Sequence, residues 1–550
     1  MSVSLHFNGQ VCAAAPGNSL FTCAEQLGVQ VPTSCHKQGK CKECVVEVTE
    51  GLDCLSPAGP EERHLKAPFR LSCCTRVVTG DGTVRCHTMR RGTMRIEKHA
   101  FALPVHGPKW PLDPAVTRAG DRILLEGAEI DRGHGPLHGL AIDLGTTTIV
   151  MRLLNLETGE VIADSSFENP QRFGGSDVMA RIQYDTVDRT RILQRTLAGY
   201  LSRAILDFPV DPRSIYEVVV AGNSTMRDLF FRLSVYSIGQ SPYQSLTELE
   251  VASGARTTTS LTAPANRLGL PVHPQARVYG LPVISGHVGA DAAACMLAID
   301  LAHEDRVVAL MDIGTNTELI VGNRHKVLAA SCPAGPAFEG GQITCGMPGL
   351  PGAIEKVVVG DDGTVRTTVI GDAPAEGICG SGLVDLLSEL RRTGRMNALG
   401  RFEGGAGDFI VQAGGDRPIT FSESDVNALA QAKGANVAGL QIIFKEYGIR
   451  YPELDVFYLA GGFGRHLNIG SAKRIGLIPN LDVARIVQVG NASVEGACIA
   501  LLSRAKRAEL EQLVRRVTHC RLETHPGFFD YFVEGCQFAP VENTLEVSGP

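Results

Sequence analysis

The sequence predicts a multidomain chain in which a small β-rich domain with a cysteine loop precedes two related α/β lobes. Three observations predict it. Cysteines stand at C-x5-C-x2-C in Cys35-His36-Lys37-Gln38-Gly39-Lys40-Cys41-Lys42-Glu43-Cys44. The string Leu140-Ala141-Ile142-Asp143-Leu144-Gly145-Thr146-Thr147-Thr148 returns as Leu310-Met311-Asp312-Ile313-Gly314-Thr315-Asn316-Thr317-Glu318, and a repeat at domain spacing implies two lobes of one fold. The length, 550 residues, suits three or four domains of about 150 residues.

Composition narrows the class. Apolar residues make up 44% and charged residues 20%, ordinary for a globular protein. The net charge of −7 argues against nucleic acid as main partner, since phosphate backbones need a basic face. The opening residues lack a basic region followed by an apolar one, and no apolar run reaches about 18 residues, so the expectation is a cytoplasmic protein with no membrane span. Nine of the 16 cysteines precede His87. A disulfide framework suits small secreted domains, so clustering here points instead to metal or cluster ligation. The scattered later cysteines, Cys295, Cys332, Cys345, Cys379, Cys498, Cys520 and Cys536, read as small core hydrophobes.

Residues 1–88 form the first expected domain. Val3–Phe7 and Val11–Ala15 flank Asn8-Gly9, a hairpin signal. Asn18 or Ser19 can cap a helix reaching Leu27 and closed by Gly28. After the cysteine loop come strand signals at Val45–Val48, Arg70–Cys73 and Arg76–Val78. Two strands, a helix, a cysteine loop and returning strands make the β-grasp order of ferredoxins, and the loop resembles that of 2Fe–2S ferredoxins, whose plant-type spacing is C-x4-C-x2-C with a distant fourth cysteine. Here the first gap is one residue longer. Zinc is the competing ligand, but zinc sites favour two paired C-x2-C elements and the chain has one. The fourth ligand comes from Cys73 or Cys74; neighbours on a strand face opposite ways, so one of them reaches the iron. The family pattern Arg-Leu-Ser-Cys-x-Thr implies Cys73, beside Cys35, Cys41 and Cys44. Gly39 is expected to let the loop turn its N–H groups toward sulfur.

Residues 89–137 read as a linker or small middle segment. Arg90, Arg91, Arg95, Lys98, Pro104, Pro108, Pro111 and Pro114 punctuate it, with one strand signal at Arg122–Leu125. Prolines make such a tether semi-stiff, and a tethered electron carrier could swing between donor and acceptor.

The body divides into lobe I, 138–305, and lobe II, 306–550. In each repeated hairpin the Asp ends a strand and can orient Mg²⁺ through water, the Gly permits close approach of phosphate, and N–H and Thr hydroxyl groups cradle its oxygens. Val456–Ala460 runs into Gly461-Gly462-Phe463-Gly464, a turn against which adenosine can lie. Gly490–Ala497 opens a small-residue helix suited to close helix contact. No Gly-x4-Gly-Lys-Ser/Thr occurs, which disfavours a P-loop enzyme. These features resemble the superfamily of acetate and sugar kinases, heat-shock chaperones and actin, whose duplicated α/β lobes close on ATP.

Together, the cysteine domain and this fold resemble the ATP-dependent reductive activators of corrinoid proteins. The strings that carry the likeness are Ala221–Met226, Asp312–Glu318, Gly335–Gly340, Gly377–Asp385 and Ala460–Arg465. The resemblance implies a 2Fe–2S cluster, ATP with Mg²⁺, a corrinoid protein of a methyltransferase system as partner, an upstream low-potential electron donor and a homodimer. The implied reaction returns cobalt(II) to cobalt(I) by one electron. Asp143 and Asp312 are the implied catalytic residues, placing Mg²⁺ and the attacking water. Gly145, Thr146, Thr147, Gly314, Thr315 and Asn316 would hold phosphates, Gly461, Gly462 and Phe463 would meet adenosine, and Glu339 would border the nucleotide. Ser381 could cap a helix aimed at the nucleotide, or that glycine-rich turn could be a plain helix start. His287 could be a base, although a satisfied structural histidine is the simpler expectation. The alternatives are a ferredoxin-fused small-molecule kinase and an ATP-binding redox sensor.

Overall fold

The architecture is that of a computed structural model, which describes residues 2–89 and 111–541 except positions 34, 36, 189, 372, 405–406, 414–417, 463 and 465. The expectations for Arg90, Arg91, Arg95, Lys98, Pro104, Pro108 and Phe463 therefore lie outside the described residues. Strands Val3–Phe7 and Gln10–Ala14 pair across Asn8 and Gly9, whose φ angles of 50° and 80° match a two-residue turn of the hairpin-forming kind. Ser19 caps helix Leu20–Gln26, its hydroxyl accepting from the Thr22 N–H, and the helix buries Leu20, Phe21, Cys23 and Ala24. The five-stranded sheet runs Gln10–Ala14, Val3–Phe7, Thr83–Thr88, Val45–Glu50, Phe69–Leu71. Thr83–Thr88, not expected from the sequence, takes the central place, and Arg76–Val78, expected as a strand, is not one of the five. Val77 spends its backbone bonds on Gly17 and Asn18 instead, which leaves it a single bridge to Leu55.

The described part of the connector is more than a tether with one strand. Val116–Ala119, Arg122–Leu125 and Ala128–Arg132 form a three-stranded antiparallel sheet. Val116 and Ile123 bury into the same apolar cluster as Ala141 and Val219 of the following lobe. Nor does the cysteine domain stand apart. Its core is continuous with that of residues 140–278, and two ion pairs cross the junction, Arg172 to Glu47 and Arg195 to Glu43, the latter at 2.6 Å. The swinging arrangement envisaged from sequence is replaced here by a docked one.

The repeat is visible in topology. One six-stranded sheet is ordered Val161–Glu168, Thr148–Asn155, His138–Leu144, Ile215–Gly222, Arg277–Gly280, Leu261–Pro264. The other is ordered Val517–His519, Val327–Cys332, Thr317–Gly322, Val308–Asp312, Val456–Ala460, Ile486–Gly490. Each contains an antiparallel meander whose first strand is flanked by a parallel neighbour. Helices Ala290–Ala298 and Ala492–Leu502 join the lobes. Gly496 meets the Ala294 backbone so closely that a Cβ would lie 2.0 Å from the Ala294 carbonyl oxygen, which is the use of the small-residue string there.

The C-terminal return is pinned electrostatically. Glu217, fully buried, accepts from Arg507 at 2.7 and 2.9 Å and from Arg277 at 2.6 Å. Removing one member of such a buried network strands the remaining charge, at about 3–5 kcal/mol. Glu217→Ala is expected to lower the urea midpoint of the far-UV circular dichroism transition accordingly; an unchanged midpoint would show that these pairs contribute no net stability.

Candidate active site: a cysteine loop and an acidic two-lobed cleft

The four expected cluster cysteines converge as two pairs. The sulfur of Cys44 lies 3.3 Å from that of Cys73. The Cys35 thiol is within hydrogen-bond reach of Cys41 and of the N–H groups of Gln38, Lys40 and Cys41. Burial opposes ionisation of Cys35, yet these donors prevail and lower its thiol to about 7. The Cys44 thiol, donating to Cys73, brings Cys73 down to about 6, and the Gly39 N–H adds to the effect. Cys44 itself is pushed up by that partnership and by burial. Donors aimed at sulfur, and a loop whose Gly39 N–H reaches Cys73, suit a two-iron cluster, whose ligands are thiolates.

The sequence argument separating Cys73 from Cys74 needs correction, because the strand stops at Leu71 and both cysteines sit on a turn. Their sulfurs are 3.7 Å apart. Distance to Cys44 and burial, rather than strand faces, single out Cys73. Gly39 has φ +70°, and a Cβ there would lie 2.8 Å from the Cys74 sulfur, so the loop closes over this turn only with glycine.

The second site is a cavity of about 300 Å³ between the lobes. It is lined by every nucleotide residue expected from sequence that lies within the described residues: Asp143, Gly145, Thr146, Thr147, Asp312, Gly314, Thr315, Asn316, Glu339, Ser381, Gly461 and Gly462. The two repeated hairpins touch, the Thr147 and Thr315 hydroxyls lying 2.8 Å apart while both donate to Glu339. Gly461, at φ +106°, brings its turn onto the Ile313 carbonyl, where a Cβ would be 2.3 Å from oxygen. Ser381 lines the cavity but does not cap its helix. Cys379 is the N-cap residue of Gly380–Arg392, and it makes no side-chain cap bond. His287 lies elsewhere, its ring nitrogen 3.3 Å from the Ile238 carbonyl and its ring against Tyr243.

Reading by motif missed several lining groups. Asp291 stands in the first turn of Ala290–Ala298, whereas Asn223, within the Ala221–Met226 string already singled out, donates to Thr146 at 2.9 Å. Asn491 and Ser493 donate to Asp143 at 2.8 and 2.9 Å. The signal for Asp291 was present in the Gly289-Ala290-Asp291 helix start but carried no spacing rule. Among the described residues the cavity presents Asp143, Asp291, Asp312, Glu318, Glu339 and Glu355 against the lone guanidinium of Arg152, which is already paired with Asp164 and Glu495. A polyphosphate cannot enter such a field by itself; a divalent cation must accompany it. Burial, and then the Asp143 charge, push Asp312 up to about 7. Burial, with Asp143 and Asp312 as like charges, pushes Asp291 up to about 7, and Glu339 is raised by burial.

These shifts fix a sign. A carboxyl whose folded value exceeds its unfolded one, about 4, favours folding below pH 4, and that benefit is lost as pH rises through 7. Without metal, stability is therefore expected to fall between pH 4 and 7, and Mg²⁺ with ADP is expected to flatten the slope and release protons on binding at pH 6. Thermal melts across pH, and calorimetry in buffers of different ionisation enthalpy, check this. Asp312→Asn should reduce the slope; an identical slope would rule out Asp312 as a contributor.

Three family models match consecutive parts of the chain: the 2Fe–2S iron–sulfur cluster binding domain over residues 5–78, the RACo middle region over 138–304, and the C-terminal ASKHA domain of RACo over 306–546. The corrinoid activation enzyme RamQ of Eubacterium limosum is 32% identical over 431 residues, covering 73% of this chain and 70% of that protein. The [Co(II) methylated amine-specific corrinoid protein] reductase of Methanosarcina barkeri is 25% identical over 447 residues, covering 75% and 80%. A solved structure titled reductive activator for corrinoid, iron–sulfur protein superposes over 100% of both chains with a TM-score of 0.72 at 26% identity. With its cluster domain, middle region and ASKHA domain in this order, the chain belongs to the RACo family.

Proposed function

We propose that this protein is an ATP-dependent reductive activator that passes one electron to the cobalt(II) corrinoid of a methyltransferase's corrinoid protein and restores cobalt(I). The observation that carries the reading is the junction of two sites in one chain: a four-thiol loop docked on the same lobe whose hairpin faces an acidic, two-lobed cleft. Cys35, Cys41, Cys44 and Cys73 would hold a 2Fe–2S cluster, which when bound would supply a one-electron carrier. Balance is simple: the protein gives up one electron, cobalt gains it, and a low-potential donor replaces it.

ATP is required by the energetics. Plant-type 2Fe–2S centres lie near −400 mV, and a corrinoid cobalt(II) below that makes the transfer uphill, at about 2.3 kcal/mol per 100 mV. Nucleotide-driven closure of the lobes can offset this only through different affinity of the two conformations for the partner. In this reading Asp143, Asp291 and Asp312 hold the Mg²⁺ and its water. The Gly145–Thr147 and Gly314–Asn316 turns take phosphates, and Gly461 and Gly462 take adenosine. A homodimer and a cytoplasmic setting belong to the same proposal. The 16 cysteines form no disulfide. Among the described residues no helix is long and apolar enough to cross a membrane.

The decisive assay is anaerobic. Reduced protein, ATP, Mg²⁺ and a cobalt(II) corrinoid protein are mixed and cobalt(I) absorbance is followed. Cys41→Ser is expected to abolish reduction while nucleotide still binds, and Asp312→Ala to keep the cluster spectrum while losing ATP-dependent turnover. Full-rate reduction by both variants, or phosphoryl transfer to a sugar or short-chain acid without any corrinoid protein, would overturn the proposal.

A further inference from the structure

One short segment touches both sites. Asn169, 1% exposed, donates its N–H to the Thr147 carbonyl at 2.6 Å and its amide to the Gly145 carbonyl at 2.8 Å. Its side-chain oxygen accepts from the Gln171 N–H at 2.9 Å, which starts the single 3₁₀ turn Pro170–Gly174. Arg172 projects from that turn toward the cysteine domain. Its guanidinium pairs with Glu168 at 2.8 Å and with Glu47, and lies 6.0 Å over the Phe69 ring. Glu47 and Phe69 are directly opposed in the sheet register. Glu47 follows Cys44 by three residues, and Phe69 precedes Cys73 by four. One side chain thus grips both strands that border the Cys44–Cys73 pair, Val45–Glu50 beginning just after Cys44 and Phe69–Leu71 ending just before Cys73.

The turn is poorly placed to absorb movement. Gly174 would meet the Leu193 side chain, and Gly175 the Ala180 side chain, at 2.6 and 2.3 Å if either carried a Cβ. Gln171 ties the turn to a second helix along the chain through the Leu193 carbonyl at 3.1 Å. That helix, Ile192–Leu206, carries Arg195, which donates to the Cys41 carbonyl at 2.8 Å. Close-packed groups of this kind transmit displacement rather than damp it.

We propose that Asn169 and Arg172 are the coupling residues of this protein: phosphate at the Gly145–Thr148 hairpin shifts Pro170–Gly174, and Arg172 carries the shift to the Glu47–Phe69 pair and so to the seating of the cluster. The inference rests on the nucleotide and cluster assignments of the proposed function. Both are positioning residues, since neither lines the cleft nor offers a sulfur. Coupling between two sites is reciprocal, so a change at Glu47 must be felt by the nucleotide, and couplings of ordinary size correspond to about 5- to 150-fold in affinity.

The test uses full-length, cluster-loaded protein. Glu47→Gln, Arg172→Gln, the double variant and Arg172→Lys are compared with wild type for calorimetric affinity toward a non-hydrolysable Mg·ATP analogue. The electron paramagnetic resonance spectrum of the reduced cluster is recorded with and without that analogue. Expected are a nucleotide-dependent change of the wild-type spectrum, its loss in Glu47→Gln and Arg172→Gln, and an affinity change of about 5-fold or more in each. The double variant should add nothing further, and Arg172→Lys should recover part of the response. Wild-type affinity and wild-type spectral response in both single variants would overturn the coupling and leave the proposed function standing. Failure of the wild type to bind nucleotide at all would instead overturn the proposed function, and the coupling with it.

Discussion

The structure depends on the meeting of two backbone hairpins across a cleft that repels itself. Thr147 and Thr315 approach to 2.8 Å and share Glu339, which places Asp143, Asp291, Asp312 and Glu318 around one small cavity. Buried carboxylates at that density cannot all ionise together: burial raises all four, and the charges of their neighbours add to it at Asp291, Asp312 and Glu318. The cleft is therefore suited to a divalent cation with phosphates. In the proposed mechanism that relief of repulsion is what occupancy of the cleft contributes to lobe closure.

The lobes are held for such movement without being loose. Ala492–Leu502 crosses against Ala290–Ala298 with backbone contact at Gly496. The Glu217 network fixes the following helix to the other lobe. Asp291 and Asn491 stand at the starts of these two helices, Asn491 bonded to Asp143. Cation binding and lobe geometry thus share the same helix ends.

Cluster and cleft meet on lobe I. Arg195 donates to the loop carbonyl of Cys41, and Arg172 grips the strands beyond it. Both arginines are paired with carboxylates of the cysteine domain, Arg195 with Glu43 and Arg172 with Glu47, so they fix how that domain sits on lobe I. A tethered carrier would leave that geometry to chance; a docked one lets the ATPase lobes govern it.

Much of this was written in the sequence by itself. Cysteine spacing, the doubled Asp-x-Gly-Thr turn and the Gly461-Gly462 string are local, because tight turns and close phosphate approach need particular residues at fixed offsets. Asn8-Gly9 and the helix cap at Asn18 or Ser19 were legible for the same reason. What tertiary structure decided were relations between distant segments. Whether Cys73 or Cys74 faces Cys44 depends on a turn, not on strand alternation. Ser381 lines the cleft without capping, because the helix already begins at Gly380 with Cys379 at the N-cap position. Asp291 joins the carboxylates only when its helix start is brought beside two strands. Val116–Arg132 became a sheet because it had a neighbouring lobe on which to bury Val116 and Ile123. The docking of the cysteine domain through Arg172 and Arg195 left no periodic trace, since a salt bridge between remote segments needs only one residue on each side.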